Sequence, residues 1–214
     1  MGIQINQYPL TATEINNEDF FDVDQWNGTA FESKKISGAT LRAGVIPGLF
    51  AQTGNSTPIT ATTTEGTLID GGVGSLIVPA NGFKVGDSFR LDMGGLISSK
   101  NNDTITIRLK SGAVDLGSSG ALTMPAITGQ VFMLTTNFTI RAIGTTGVAE
   151  IVSLSQFHVL KLASGTQQGF AWNYVNNTTF NTTIGNTLNI TAQFSSNSAL
   201  NSIYSDIFVL NKIY

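Results

Sequence analysis

The amino-acid sequence predicts an all-β protein, a sandwich or barrel of Greek-key type, and three observations carry that expectation. Apolar and polar residues alternate with period two through the C-terminal two-thirds of the chain, as half-buried strands require. Clusters of Gly, Asn, Asp and Ser break the alternation at short intervals, and no helical period fills the gaps.

The alternation is cleanest over residues 132–142, where Phe132, Leu134, Phe138, Ile140 and Ala142 share a face against Thr135, Asn137, Thr139 and Arg141. It recurs with Ile105, Ile107 and Leu109, with Leu188, Ile190, Ala192 and Phe194, and with Phe89, Leu91 and Met93. Further strands are expected near residues 66–70, 75–78, 149–161, 170–175 and 202–214, separated by turns such as Asn81-Gly82 and Asn101-Asn102-Asp103. The last of these is apolar on both sides: strict alternation puts Ile203, Ile207, Val209 and Ile213 on one face and Tyr204, Phe208, Leu210 and Tyr214 on the other. Such a strand is covered on both faces. Either it lies centrally in its sheet under a loop, or the Tyr204, Phe208, Leu210 and Tyr214 face meets a neighbouring subunit.

Residues 1–47 read as a separate unit. Two extended stretches, Phe20 to Trp26 and Ala30 to Ile36, flank Asn27-Gly28, the dipeptide that favours a tight hairpin turn. Ser37 then stands at an N-cap position before a helix of about two turns that Pro47-Gly48 ends. Residues 48–64 are Thr-rich and interrupted by Pro58, a composition that suits a linker or a peripheral strand, leaving 65–214 as the main domain.

Composition narrows the function. Charged residues make up only 12% of the chain and its net charge is −3, so no basic face is available to neutralise phosphates and nucleic acid is not expected as a partner. No apolar run approaches the length of a membrane-spanning helix, no secretory or mitochondrial address is evident, and cysteine is absent. His158, the only histidine, sits inside a strand pattern and reads as a hydrogen-bonded strand residue, since a nucleophile needs a sharp turn beside it. Paired carboxylates are the remaining route to glycan hydrolysis; of the acidic residues, Asp92 and Asp206 fall within expected strands, while Asp87 and Asp103 suit turns. Glu18, Asp22 and Asp24 lack the spacing of a calcium loop, and Asp22 and Asp24 instead suit pairing with Lys34 and Lys35 across the hairpin. No catalytic or metal site and no cofactor is expected. Trp172 and Tyr174 share a strand face and are the candidate ligand-binding aromatics, with core packing as the alternative.

Tyr8-Pro9-Leu10-Thr11-Ala12, Asp19-Phe20-Phe21-Asp22-Val23 and Lys34-Lys35-Ile36-Ser37-Gly38-Ala39-Thr40-Leu41 resemble the N-terminal unit of many bacteriophage tail and head fibres. There a Pro-Ala-rich lead precedes an Asp-rich strand, a tight turn, a Lys-bearing strand and a short helix; here Thr11-Ala12 replaces a plainer Ala pair. Val85-Gly86-Asp87-Ser88-Phe89-Arg90, the stretch from Asn101 to Lys110 and the closing stretch from Ser205 to Tyr214 are similar to the distal jelly-roll domains of tailed-phage and large-virus virion proteins. The resemblance implies a jelly-roll sandwich that trimerises in the manner of tumour-necrosis-factor-like proteins. It also implies a place in the virion, with Phe20, Phe21, Val23 and Trp26 anchoring the chain to capsid or tail proteins and the sandwich reaching towards host-surface glycans. Two other readings stand beside this one: a stand-alone carbohydrate- or receptor-binding module, and a glycan-degrading spike dependent on Asp92 or Asp206.

Overall fold

The computed structural model describes residues 20–26, 29–37, 48–161 and 165–214. The chain divides into two compact units, Met1–Pro47 and Gly48–Tyr214. Every regular element among the described residues is a strand.

In the first unit, β1 (Phe20–Trp26) pairs antiparallel with β2 (Phe31–Ser37). Trp26 faces Phe31, so residues 27–30 separate the paired ends and the connection is longer than the two-residue turn that Asn27-Gly28 suggests. The register sets Asp22 opposite Lys35. The helix expected after Ser37, and the side chains of Phe20, Phe21, Val23 and Trp26, lie outside the described residues.

The second unit is a sandwich of two antiparallel sheets. Its strands are β3 (Gly48–Gln52), β4 (Ile59–Thr60), β5 (Gly66–Thr67), β6 (Gly72–Gly74), β7 (Ile77–Val78), β8 (Ser88–Ser99), β9 (Thr104–Ser111), β10 (Val114–Ser118), β11 (Leu122–Thr123), β12 (Ile127–Ile143), β13 (Ala149–Leu160), β14 (Gln167–Asn176), β15 (Asn186–Phe194) and β16 (Ser202–Lys212). The large sheet runs β14-β13-β12-β8-β16-β3-β6 with β4 joined to β16; the small one runs β10-β9-β15-β5 with β11 and β7 at its margins. β8 pairs with β16 while the next strand inward, β9, pairs with β15. That nesting is a long antiparallel ribbon folded over on itself, the jelly-roll arrangement. The hairpin of β13 and β14 widens the large sheet beyond β12.

The inward residues are those the period-two pattern selects. Phe89, Leu91, Met93, Phe132, Leu134, Phe138, Ile140, Ile151 and Phe157 from the large sheet meet Ile105, Ile107, Leu109, Leu188, Ile190 and Phe194 from the small one, all buried. Phe89 stacks on Phe138 with ring centroids 4.8 Å apart, and Phe83 meets Phe180 edge-on at 5.3 Å. Each such side chain contributes roughly 1.5–3 kcal/mol of burial free energy.

Residues 48–64 are not a spacer. β3 is hydrogen-bonded between β16 and β6, β4 joins β16, and Phe50 packs on Phe208 with ring centroids 6.0 Å apart. Burial here rests on Phe50 and Ile59 among many threonines, too few apolar positions to show a period. Hydroxyls supply the rest: Ser56 Oγ accepts the Ser205 amide at 2.9 Å, and the Ser56 amide donates to the Ser205 carbonyl at 2.9 Å.

One irregularity sets the faces of β16. Its pairing with β8 slips between Ser205 and Ile207, a bulge that places an extra residue opposite Gly94-Gly95. Ser205 points inward, where its hydroxyl donates to the Leu68 carbonyl at 2.5 Å. After the slip the alternation is inverted, so Phe208 and Leu210 join the core while Ile207 and Val209 turn outward. Gly95 makes the bulge possible, since a Cβ there would meet the Tyr204 carbonyl oxygen at 2.1 Å and the Ser205 Cα at 2.7 Å. Gly95→Ala is expected to destabilise the protein by about 1–3 kcal/mol, the range of overpacked core substitutions. Gly94→Ala, whose nearest neighbour would lie at 3.4 Å, should cost far less. Urea unfolding of the two variants checks this, and equal midpoints would refute the close approach.

Candidate interaction surface

The two exteriors of the sandwich differ in chemistry. On the outside of the large sheet, cross-strand register builds apolar rows. Tyr204, Leu96 and Val131 stand side by side, and the next row runs Ile207, Gly94, Met133, His158 and Gly169. Val131, Met133 and Ile207 are half or more exposed, Met133 at 64%. Gly94 has no side chain, so the neighbouring rows rise around it as the walls of a groove of about 390 Å³ lined by Leu96, Val131, Met133, Ile207 and Val209. A second hollow of about 450 Å³ continues from Val131 and Met133 to His158 and Leu160.

The outside of the small sheet is polar, and its charges are satisfied within the chain. The Glu65 carboxylate accepts from Lys110 Nζ at 3.0 and 3.1 Å and from the Thr191 hydroxyl, and lies 3.6 Å from the Arg108 guanidinium. Arg108 also donates to Gln193 Oε1 at 3.1 Å and approaches Asp115 at 3.7 Å. Alternation on β9 and β15 places these groups on one face, and Glu65, next to β5, ties that short strand to it. Partial burial of Glu65 favours its protonated form, but the hydrogen bonds from Thr191 and Lys110 and the charges of Lys110 and Arg108 outweigh this and hold its pKa below 4.5.

The strand face named from sequence as an interface is divided by the bulge. Phe208 and Leu210 are core residues within one chain, which corrects their assignment to a subunit interface. Tyr204 is half-buried on the apolar exterior, and Tyr214 is 83% exposed at the chain end. The outward residues Ile207 and Val209 were assigned to the opposite face, because strict alternation carries no sign of a bulge. Val131 and Met133 were missed as well, although both occupy outward positions of a strand with no other large apolar residue facing out.

Trp172 and Tyr174 lie on β14, the edge strand of the large sheet, opposite Ser155 and Ser153. Both are half-buried on the inward side, with Trp172 packed against the core beside Phe170, whose ring stacks on Phe157 at 6.2 Å. His158 is exposed on the outward side of β13, between Met133 and Gly169. Neither neighbour supplies a nucleophile or an orienting carboxylate. Asp92 and Asp206 both border the groove at Gly94. Both oxygens of Asp92 are engaged, by Arg90 at 2.9 and 3.1 Å and by the Thr135 hydroxyl at 2.9 Å. Asp87 shapes its turn by accepting the Lys84 amide at 2.8 Å and anchors Lys212 at 2.6 Å. Among the described residues no cluster of His, Asp and Glu is fit to hold a metal ion, and no helix is long and apolar enough to cross a membrane. Glu18 and the side chains of Asp22 and Asp24 lie outside the described residues.

Compared with known protein families the chain matches none, and no curated protein matches it in sequence.

A carboxylate with a lowered pKa stabilises the fold fully above its unfolded-state value and loses that contribution as pH falls through its folded-state value. Glu65→Gln should therefore lower the melting temperature at neutral pH, with the deficit shrinking as pH drops below 4.5. Thermal melts across pH test this, and a deficit that stays constant into acid would count against the network.

Proposed function

We propose that this chain is a non-enzymatic structural protein of a virus particle, a fibre, spike or decoration subunit attached to capsid or tail. It assembles as a homotrimer and presents its sandwich to host-surface glycans. The observation that carries this reading is the apolar exterior of the large sheet. Val131, Met133, Ile207 and Leu96 surround a groove with no side chain at its centre, and a contiguous apolar patch of this kind marks association. The small sheet, whose charged groups are already paired with one another, has no comparable need of a partner.

The choice of a trimer follows the likeness to fibre head domains, and it suits a jelly roll in which the associating sheet contains both β3, where the body begins, and β16, where it ends. The low charge suits an exposed particle surface, since amides and hydroxyls hold water without a long-range field. The division into two units supports separate tasks of attachment and display.

Light scattering on the purified chain is expected to give about three times 22.6 kDa, near 68 kDa. Met133→Asp, which sets a charge in the apolar row, should reduce that mass to a single chain while leaving the melting transition cooperative, because burying an unpaired charge costs about 3–5 kcal/mol. A monomeric wild-type protein would overturn the assembly and favour the stand-alone binding module.

A further inference from the structure

We infer that the end of the sandwich farthest from Gly48 carries a binding pocket for acidic saccharides, built around Lys100 and Lys161. The inference names the ligand class for the host-facing role proposed above and rests on that reading.

Strand register defines the two ends. Asn211 pairs with Gly48, where the body receives the chain from the first unit, and Lys212 pairs with Phe89 at that same end. At the other end of these strands Ser202 pairs with Ser98, and Ser99 with Ile127. Here the turn after β8, the entry to β12, the end of β13 and the loop before β16 come together around a hollow of about 450 Å³. Its volume lies within the range of small-molecule sites.

The charge arrangement there departs from the rest of the body. Arg90, Arg108, Lys110, Arg141 and Lys212 each lie within 4.0 Å of a carboxylate. Among the described residues of the second unit, Lys84, Lys100 and Lys161 have no such ion pair, and two of those three line this one hollow. No carboxylate lines it with them. Asp103, three residues after Lys100, has one carboxylate oxygen engaged by Asn201 at 2.8 Å and by the Ser196 hydroxyl, and its charge acts on Lys100 from outside the hollow. An anion held in the hollow would gain charge-assisted hydrogen bonds from two lysines with no lining carboxylate to compete for them.

The other lining groups suit a sugar rather than a bare ion. The side-chain amides of Asn101 and Gln130 offer donors and acceptors for ring hydroxyls, and Leu200, 62% exposed, gives an apolar surface for the C–H face of a ring. The pocket therefore fits a saccharide bearing a carboxylate, sulfate or phosphate group.

Titration calorimetry of the full chain with a glucuronate-containing disaccharide, sialyllactose, a heparin-derived disaccharide and a glycerol-phosphate oligomer tests the inference and tells the anionic groups apart. Lactose serves as the neutral control. At least one acidic probe should bind, more weakly as ionic strength rises, while lactose gives no heat. Exchanging both lysines, Lys100→Gln with Lys161→Gln, should weaken that binding by about tenfold or more. Lys84→Gln, which removes the third lysine of the second unit without an ion pair, should leave it unchanged. Both lysines of the pocket are exposed, so the double variant should keep the wild-type melting temperature. Silence from every acidic probe, or binding that survives the double exchange, overturns the pocket. A trimer that binds no acidic saccharide overturns the pocket alone, whereas a monomer that binds one overturns the fibre assembly and leaves the pocket standing.

Discussion

The architecture depends on how β16 threads the middle of the large sheet. It pairs with β8 along one side and with β3 and β4 along the other, so the first and last strands of the body lock each other in place. Its bulge at Ser205–Ile207 needs an inward-facing serine, which bonds the Leu68 carbonyl at 2.5 Å, and a glycine directly across at Gly95. Phe208 and Leu210 on the inner face, and Ile207 and Val209 on the outer, then have their positions decided by one extra residue.

From that placement the two exteriors acquire their separate characters. The small sheet presents hydroxyls, amides and a self-contained set of ion pairs, which suits lasting contact with water. The large sheet presents an apolar row around Gly94, which suits contact with another protein surface. Because the ribbon wraps back on itself, the turns at the far end from Gly48 come from strands of both sheets. Lys100, from the β8–β9 turn, and Lys161, which follows β13, therefore line one hollow although they are distant in the chain.

Much of the fold was legible in the chain. The period-two runs at β8, β9, β12 and β15 identify strands and their inward residues, because one dry face and one wet face leave a direct imprint on the sequence. Asn81 and Asn102, within expected turns, do adopt positive φ angles of 60° and 63°. Three features were hidden. β3 and β4 bury only Phe50 and Ile59 among threonines and hold their place by backbone pairing, which leaves no periodic trace. The bulge reverses alternation over a single step, and Ser205-Asp206 looks like any polar pair until Gly95 is known to lie opposite. The apolar exterior and the lysine pocket depend on register between strands far apart in sequence. The individual residues were visible there, but their company was not.

The central claim is that the exterior around Gly94 is covered by other copies of the chain, and the methionines report on it directly. Met93 and Met124 are buried in the core, at 3% and 1% exposure, while Met133 stands 64% exposed on the surface in question. Mild peroxide treatment of the native protein, followed by mass spectrometry of each methionine, measures their relative protection. The account predicts that Met133 oxidises as slowly as Met93 and Met124. Oxidation of Met133 many times faster than both, in protein at the concentration used to measure its mass, would contradict it.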